Sequence, residues 1–510
     1  MGKYSIAIII FIQSLLLLQS YSYSAISPSE IDILYDTKID FLYNSVKETT
    51  NQNKWEKAKS SFEYLKKLLK LYNQQDRFKD LDQLETQVNE LITKNLEQLY
   101  QKGLNQLDNA QFLDALTTFK KILHYHPNYK NTREFLEKTQ SLRNTVEGIT
   151  QKTTVVTSKT PDKKQTGLRI YKPEKCFPSY TLFALQILEG TLINRIYLID
   201  MKGDIVYQCI VDGDGIFPRL KPDGTIIYNN PELIEIDFHG NTIWNYPAPV
   251  GHDFHILENG NIIIERNGRI NESSVFIPNR FAADQYICPH IEIISPGKNV
   301  LWKWQGDKHT KELENLLGLK IQFEGDWAHN NTCFILKDNP LAKKDQRFKK
   351  GNIVFSYHQL NLIGIIDYPT GEIVWAWGPG VLDSTHSPTM LDNGNFLIFD
   401  NGSAREWSRI IELNPLTEEI VWEYHAETKK NFFSHTQSSV LKLPNGNILI
   451  SEATSNRIFE ITLDGEIVWD YISNLGKSTG CHGIYRAHKY SPEYVKPLLD
   501  KLEKWRKEQR

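Results

Sequence analysis

Residues 444–469 read PNGNILISEATSNRIFEITLDGEIVW. An Asn-Gly turn between apolar runs opens the stretch, a strong hairpin signal. A second hairpin turns at Asp464-Gly465 and closes on Trp469. Two hairpins make four strands, and the pattern recurs along the chain. The second half returns as RIYLIDMKGDIVY ending at Tyr207, LIEIDFHGNTIW at Trp244 and IEIISPGKNVLW at Trp302, then as LIGIIDYPTGEIVW at Trp375 and RIIELNPLTEEIVW at Trp422. The closing aromatics lie 37, 58, 73, 47 and 47 residues apart. The first half returns as PDGTIIY from 222, ENGNIII from 258, KGNIVFS from 350 and DNGNFLIF from 392, with YTLFAL from 180 as the front of the first unit.

Four strands per unit at a spacing of about 45 residues spell a β-propeller blade. Six closing aromatics predict six blades over 178–490. Each aromatic is expected to pack between neighbouring blades, because one four-stranded sheet cannot bury both its faces. The two longer intervals predict insertions at about 266–288 and 306–325. The segment CHGIYRAHKY (481–490) is expected to close the ring by adding a strand to the first blade.

Outward from the propeller, residues 491–510 read as a C-terminal helix and 146–177 as a linker, Thr- and Lys-rich and without apolar periodicity at its start. Residues 25–145 are nearly free of Gly and Pro, with apolar residues at helical spacing, as in Phe62, Leu65, Leu68 and Leu69. Within them Leu99, Gly103, Ala115, Phe119 and Pro127 keep tetratricopeptide offsets. There the small residues let two helices approach and Phe119 fills the gap. The predicted fold is therefore a mainly β six-bladed propeller preceded by an α-helical, tetratricopeptide-like domain, with a plain helical bundle as the alternative for the latter.

Residues 1–24 read as a secretory signal: Lys3, an apolar core from Ile6 to Leu18, and small residues at Ser22 and Ser24. This predicts an exported protein, periplasmic or extracellular, or one held at the membrane if the signal stays uncleaved. Elsewhere no apolar run reaches the roughly 18 residues of a membrane span. The 510 residues carry 59 basic and 62 acidic side chains, a net charge of −3, which argues against nucleic-acid binding. Five scattered cysteines without a Cys-x-x-Cys pair disfavour a zinc ribbon or a thioredoxin-type site.

Aligned on their Asn-Gly turns, the blades place histidines in register. His252 and His386 each lie seven residues before their turn asparagines, Asn259 and Asn393. Ser438 holds that slot in the last blade, with His435 just before it, and His329 opens a strand in blade four. The first strand of a blade lines the central channel, so these side chains should converge on one mouth. A lone histidine beside a strand is usually structural; shared register is what singles these out. Three histidines suit zinc, with Asp253 and Asp326 as supports, but no His-x-His or His-x₃-His pair fixes them, and no metal is predicted. A histidine nitrogen can instead attack a sulfuryl or phosphoryl centre and hold the group covalently, while neighbouring donors stabilise the oxygens. No cofactor is predicted.

The segments HDFHILENGN (252–261), DWAHNN (326–331), GNIVFSYHQLN (351–361), HSPTMLDNGNFLIFDNG (386–402), SRIIEL (408–413), FFSHTQSSVLKLPNGN (432–447) and YRAHKY (485–490) resemble the arylsulfotransferase family, whose donor is an aryl sulfate ester. The resemblance runs over about 178–490 and implies a six-bladed propeller. It implies His386 as the nucleophile that becomes a sulfohistidine. His252, His329 and Asn331 would bind sulfate oxygens and assist proton transfer. The donor would be an aryl sulfate and the acceptor a phenol. The chain departs from the family in two places. The usual arginine slot holds Tyr357 or His358, with Arg405 and Arg409 nearby, and the usual His-His pair is reduced to Gly251-His252. Tyr357, His358, His435 and Ser438 are the further candidate substrate-binding residues. The helical front lies outside the family core and suggests a protein partner. Two other readings stand beside this one: a non-catalytic propeller acting as a binding or scaffold protein, and a quinone-dependent dehydrogenase, suggested by TGEIVWAW (370–377) but short of two blades.

Overall fold

The computed structural model describes residues 28–71, 74–146, 153–161, 165–189, 191–211, 217–269, 287–321, 326–475 and 483–508. The predicted signal segment and most of the blade-three insertion lie outside these residues. The chain divides into two compact units, with the boundary at 93/94.

The first unit holds helices Pro28–Asn51 and Trp55–Leu71 and the front of Leu81–Asp108. Their apolar residues recur every three or four positions and meet in one core around Ile39, Leu42, Val46, Phe62, Leu65, Leu69, Leu84 and Val88. The second unit holds the rest of that long helix, helices Phe112–Tyr125 and Thr132–Val146, and all the strands. Gly103 is where the helices touch: a Cβ there would lie 2.6 Å from the Phe119 ring. The helices after 93 fall in the same compact unit as the propeller. Lys120 Nζ pairs with Glu418 Oε2 at 2.8 Å, and Gly380 lies against the Lys120 backbone, where a Cβ would come within 2.3 Å of its carbonyl oxygen.

Six sheets, each with four antiparallel blade strands, form the propeller. From the channel outward, blade six runs Ser439–Lys442, Ile448–Glu452, Arg457–Ile461, Ile467–Ile472. Blade one takes its innermost strand, Ala487–Tyr490, from the chain's end; it pairs with Tyr180–Phe183 and closes the ring. The closing tryptophans do what an indole with one N–H and a broad apolar face should do. Each of four packs its ring against the next blade and donates to a carbonyl in that blade's outer turn: Trp244 to Pro296, Trp302 to Pro369, Trp422 to Leu463 and Trp469 to Met201, at 2.9–3.2 Å.

Two pieces of the expected linker are strands. Thr154–Ser158 pairs in parallel with Glu419–Ala426, and Gly167–Tyr171 pairs antiparallel with Ile467–Ile472, as fifth strands of blades five and six. They cover edges that would otherwise leave backbone donors and acceptors unpaired. Arg169 pins the second, donating to both Asp470 oxygens at 2.7 and 2.6 Å. These strands bury little of either face, so no alternation marks them in the sequence. The 306–325 insertion forms a short helix, Thr310–Leu317, ended by Gly318 at φ 65°. The C-terminal helix Pro492–Glu508 buries Val495, Leu498 and Leu502 in the apolar cluster of blades one and two.

Candidate functional site

Five rings meet in a closed circuit at the centre of the propeller. His252 and His329 lie 4.8 Å apart between centroids, His329 and His358 5.6 Å, His358 and His386 4.8 Å, His386 and Tyr485 5.6 Å, and Tyr485 and His252 6.1 Å. Phe217 backs the circuit, 4.7 Å from Tyr485 and 6.1 Å from His252.

Local backbone irregularity delivers these groups. The strand His386–Met390 skips register between His386 and Thr389, and Asn330–Ile335 does the same between Asn330 and Cys333. Such bulges re-aim a side chain. His329 itself sits at φ 49° and Ser387 at φ 51°, the left-handed region that few side chains adopt. His358 comes from the far end of strand Ile353–Tyr357, and its N–H bonds the His329 carbonyl at 3.1 Å.

Hydrogen bonds fix the state of His386. Asn401 donates its Nδ2 to the carbonyls of Ser434 and Gln437, at 2.7 and 3.0 Å, so its Oδ1 is the end facing the ring. His386 Nδ1 lies 2.7 Å from that Oδ1 and 3.2 Å from the Ser384 carbonyl. Both are acceptors, so Nδ1 carries the hydrogen and Nε2 is left with its lone pair. Burial, with His358 beside it, holds the imidazole well below its ordinary pKa, so it is neutral at pH 7.

His329 has the opposite character. Burial works against its charge, but the Asp326 carboxylate hydrogen-bonds Nδ1 and lifts the imidazole above its usual value. His252 and His358 are held neutral by burial and by the neighbouring His329, lowered to about 3 and about 4. The circuit thus combines one ring poised to hold a proton with three that are bare. Among the described residues no three His, Cys, Asp or Glu side chains are arranged to hold a metal ion.

The other expected site residues are placed differently. Asn331 is fully buried and its amide serves the protein: Nδ2 donates to the Thr385 carbonyl at 3.1 Å and Oδ1 accepts from Ser356. Tyr357 does not join the circuit. Strand alternation turns it into the apolar core, against Trp327 and Phe355 at 5.5 and 4.7 Å. His435 is exposed beside Phe433, and its backbone carbonyl accepts from Ser403. Ser438 Oγ accepts from the Ala453 N–H at 3.1 Å, so that slot serves the backbone of its own blade. Arg405 and Arg409 are both held by the buried Asp400, at 2.9 and 2.8 Å.

A different arginine serves the channel. Arg486, buried, stacks near Phe217 and Tyr485, 5.5 and 5.4 Å from their ring centres. It donates to Asp253 Oδ1 at 3.0 Å and to the Asn331 carbonyl at 2.9 Å. Sequence reading quoted its segment without assigning it or Tyr485. The signal was there: Tyr485 and Arg486 immediately precede the closing innermost strand, as His329 precedes its own.

The other departure also has a cause. A Cβ at Gly251 would lie 1.9 Å from Glu265 Oε2, which instead accepts the His252 N–H at 2.6 Å. This blade keeps a buried carboxyl where a residue-251 side chain would go, and burial raises its pKa well above the usual range.

Residues 229–474 match the family model described as arylsulfotransferase (ASST). This match, over just under half of the chain, supports an arylsulfotransferase-family assignment. No curated protein matches it significantly. Among solved structures it is similar to a protein of unknown function from Bacteroides caccae (16% identity over 61% of this chain and 98% of that one, TM-score 0.41). It is also similar to a streptogramin B lyase (14%, 63% and 91%, TM-score 0.34) and to a periplasmic gluconolactonase of Pseudomonas aeruginosa (9%, 61% and 99%, TM-score 0.33). The histidine circuit lies inside the matched segment except for Tyr485.

Proposed function

We propose that the protein is an exported arylsulfotransferase that moves a sulfuryl group from an aryl sulfate to a phenol through His386. The observation that carries this is the Asn401 Oδ1 contact on His386 Nδ1, which leaves Nε2 unprotonated. Nε2 attacks sulfur, an N–S bond forms and the S–O bond to the aryl group breaks. The departing phenolate takes a proton from His329, charged through its pairing with Asp326. In the second half the acceptor phenol returns a proton to His329, its oxygen attacks sulfur, and the N–S bond breaks. His252 and His358 line the path of the sulfuryl oxygens, and Arg486 supplies the fixed positive charge nearest His252. The N-terminal segment directs export, and the tetratricopeptide-like helices offer a face for a protein partner.

The test is intact-mass spectrometry after incubation with 4-nitrophenyl sulfate alone. A gain of one sulfuryl group is expected in the natural protein and not in His386→Asn, whose turnover should fall by at least about 10³-fold. No mass gain in the natural protein would favour the second reading, a propeller that binds aryl sulfates without transferring. What favours that reading is the neutral His358 where the family has an always-charged arginine.

A further inference from the structure

Beyond the histidine circuit the channel holds a cavity of about 30 Å³, lined among others by Arg219, His255, Thr389, Arg486 and His488. That space is room for about two waters or one small ion. Its walls are unusual for so small a hollow. Two guanidiniums face a single carboxylate, Asp253, which Arg219 and Arg486 contact at 3.2 and 3.0 Å. The Nε of each arginine and the Oγ1 of Thr389 are buried without a hydrogen-bond partner. Arg486 is only 7% exposed. The His488 side chain makes no hydrogen bond among the described residues. Burial and the two arginines keep it and His255 below their usual pKa, so neither adds charge. Asp253 is the one carboxylate lining the chamber, and burial raises the pKa of Glu265, outside it, well above the usual range.

Buried donors left unpaired cost free energy, and so does an unbalanced buried charge. We propose that this chamber is a structural site for one monovalent inorganic anion of halide size, held by Arg219, Arg486 and Thr389. The anion satisfies three orphaned donors and completes the charge balance of the channel wall. His386 does not line the chamber, and the anion's role does not depend on which group the circuit transfers.

Two measurements on the full chain test this. In crystals soaked in sodium bromide, an anomalous peak is expected within about 3.5 Å of both guanidiniums. In solution, chloride should raise the unfolding midpoint above that in gluconate at equal ionic strength, by about 2 °C or more. The difference should vanish in Arg219→Met and persist, reduced, in Arg219→Lys. Absence of the bromide peak, or an equal chloride effect in Arg219→Met, would overturn the proposal and leave the chamber to water.

Discussion

His386 and His329 are the same residue type in neighbouring blades, yet they are set for opposite tasks. The difference lies in one partner each. Asn401 offers a neutral acceptor and leaves a bare lone pair; Asp326 offers a charge and holds a proton. Removing the charge should reverse the balance at His329. In Asp326→Asn, burial and the surrounding imidazoles would lower its pKa below the ordinary value. Catalysis needs His329 protonated for phenol departure, so activity is lost as pH rises through that pKa. The alkaline limb of the pH–rate profile should therefore move to lower pH in Asp326→Asn. At pH 7 the rate should fall about 10²-fold. A profile of unchanged shape would remove His329 from proton transfer. At this scale the sequence was partly legible. The slot seven residues before the turn holds His252 and His386, but the same rule selects Ser438, whose hydroxyl is taken up by a backbone N–H. It could not reach His358, which enters from a different strand.

At the scale of elements, the sequence reading of the blades rests on turns and on closing aromatics. Both are local signals, and both survive in the structure because each indole reaches only the next turn. Where a strand has no buried face, as at Thr154–Ser158, no such signal exists and the segment reads as linker. The Gly251–Glu265 contact is likewise silent in sequence, since the two residues meet only across a blade. Gly251→Ala should cost about 1–3 kcal/mol by overpacking. Most of that cost should disappear in the background of Glu265→Ala, as a double-mutant cycle in denaturant would measure. Additive costs would mean that the two side chains do not compete for one space.

The propeller depends on its first and last strands meeting. The innermost strand of blade one is contributed by residues 487–490, some 300 positions after the strand it pairs with. Ending the chain at 490 removes only the C-terminal helix, and the propeller should keep a cooperative, lower unfolding midpoint. Ending it at 482 removes the closing strand together with Tyr485 and Arg486. That protein should aggregate or unfold without cooperativity, as size-exclusion chromatography and thermal circular dichroism would report. A folded, monomeric product ending at 482 would show that ring closure is dispensable.

By itself the sequence determined that there are six blades, where their turns fall, and that several histidines start strands in step. Those properties follow from hairpin turns and apolar alternation acting over a few residues. Which imidazoles face one another, which asparagine sets the free nitrogen of His386, and which arginine stands in the channel were decided only in three dimensions. Closing a ring brings together residues hundreds of positions apart, and no local pattern encodes which of them will share a wall.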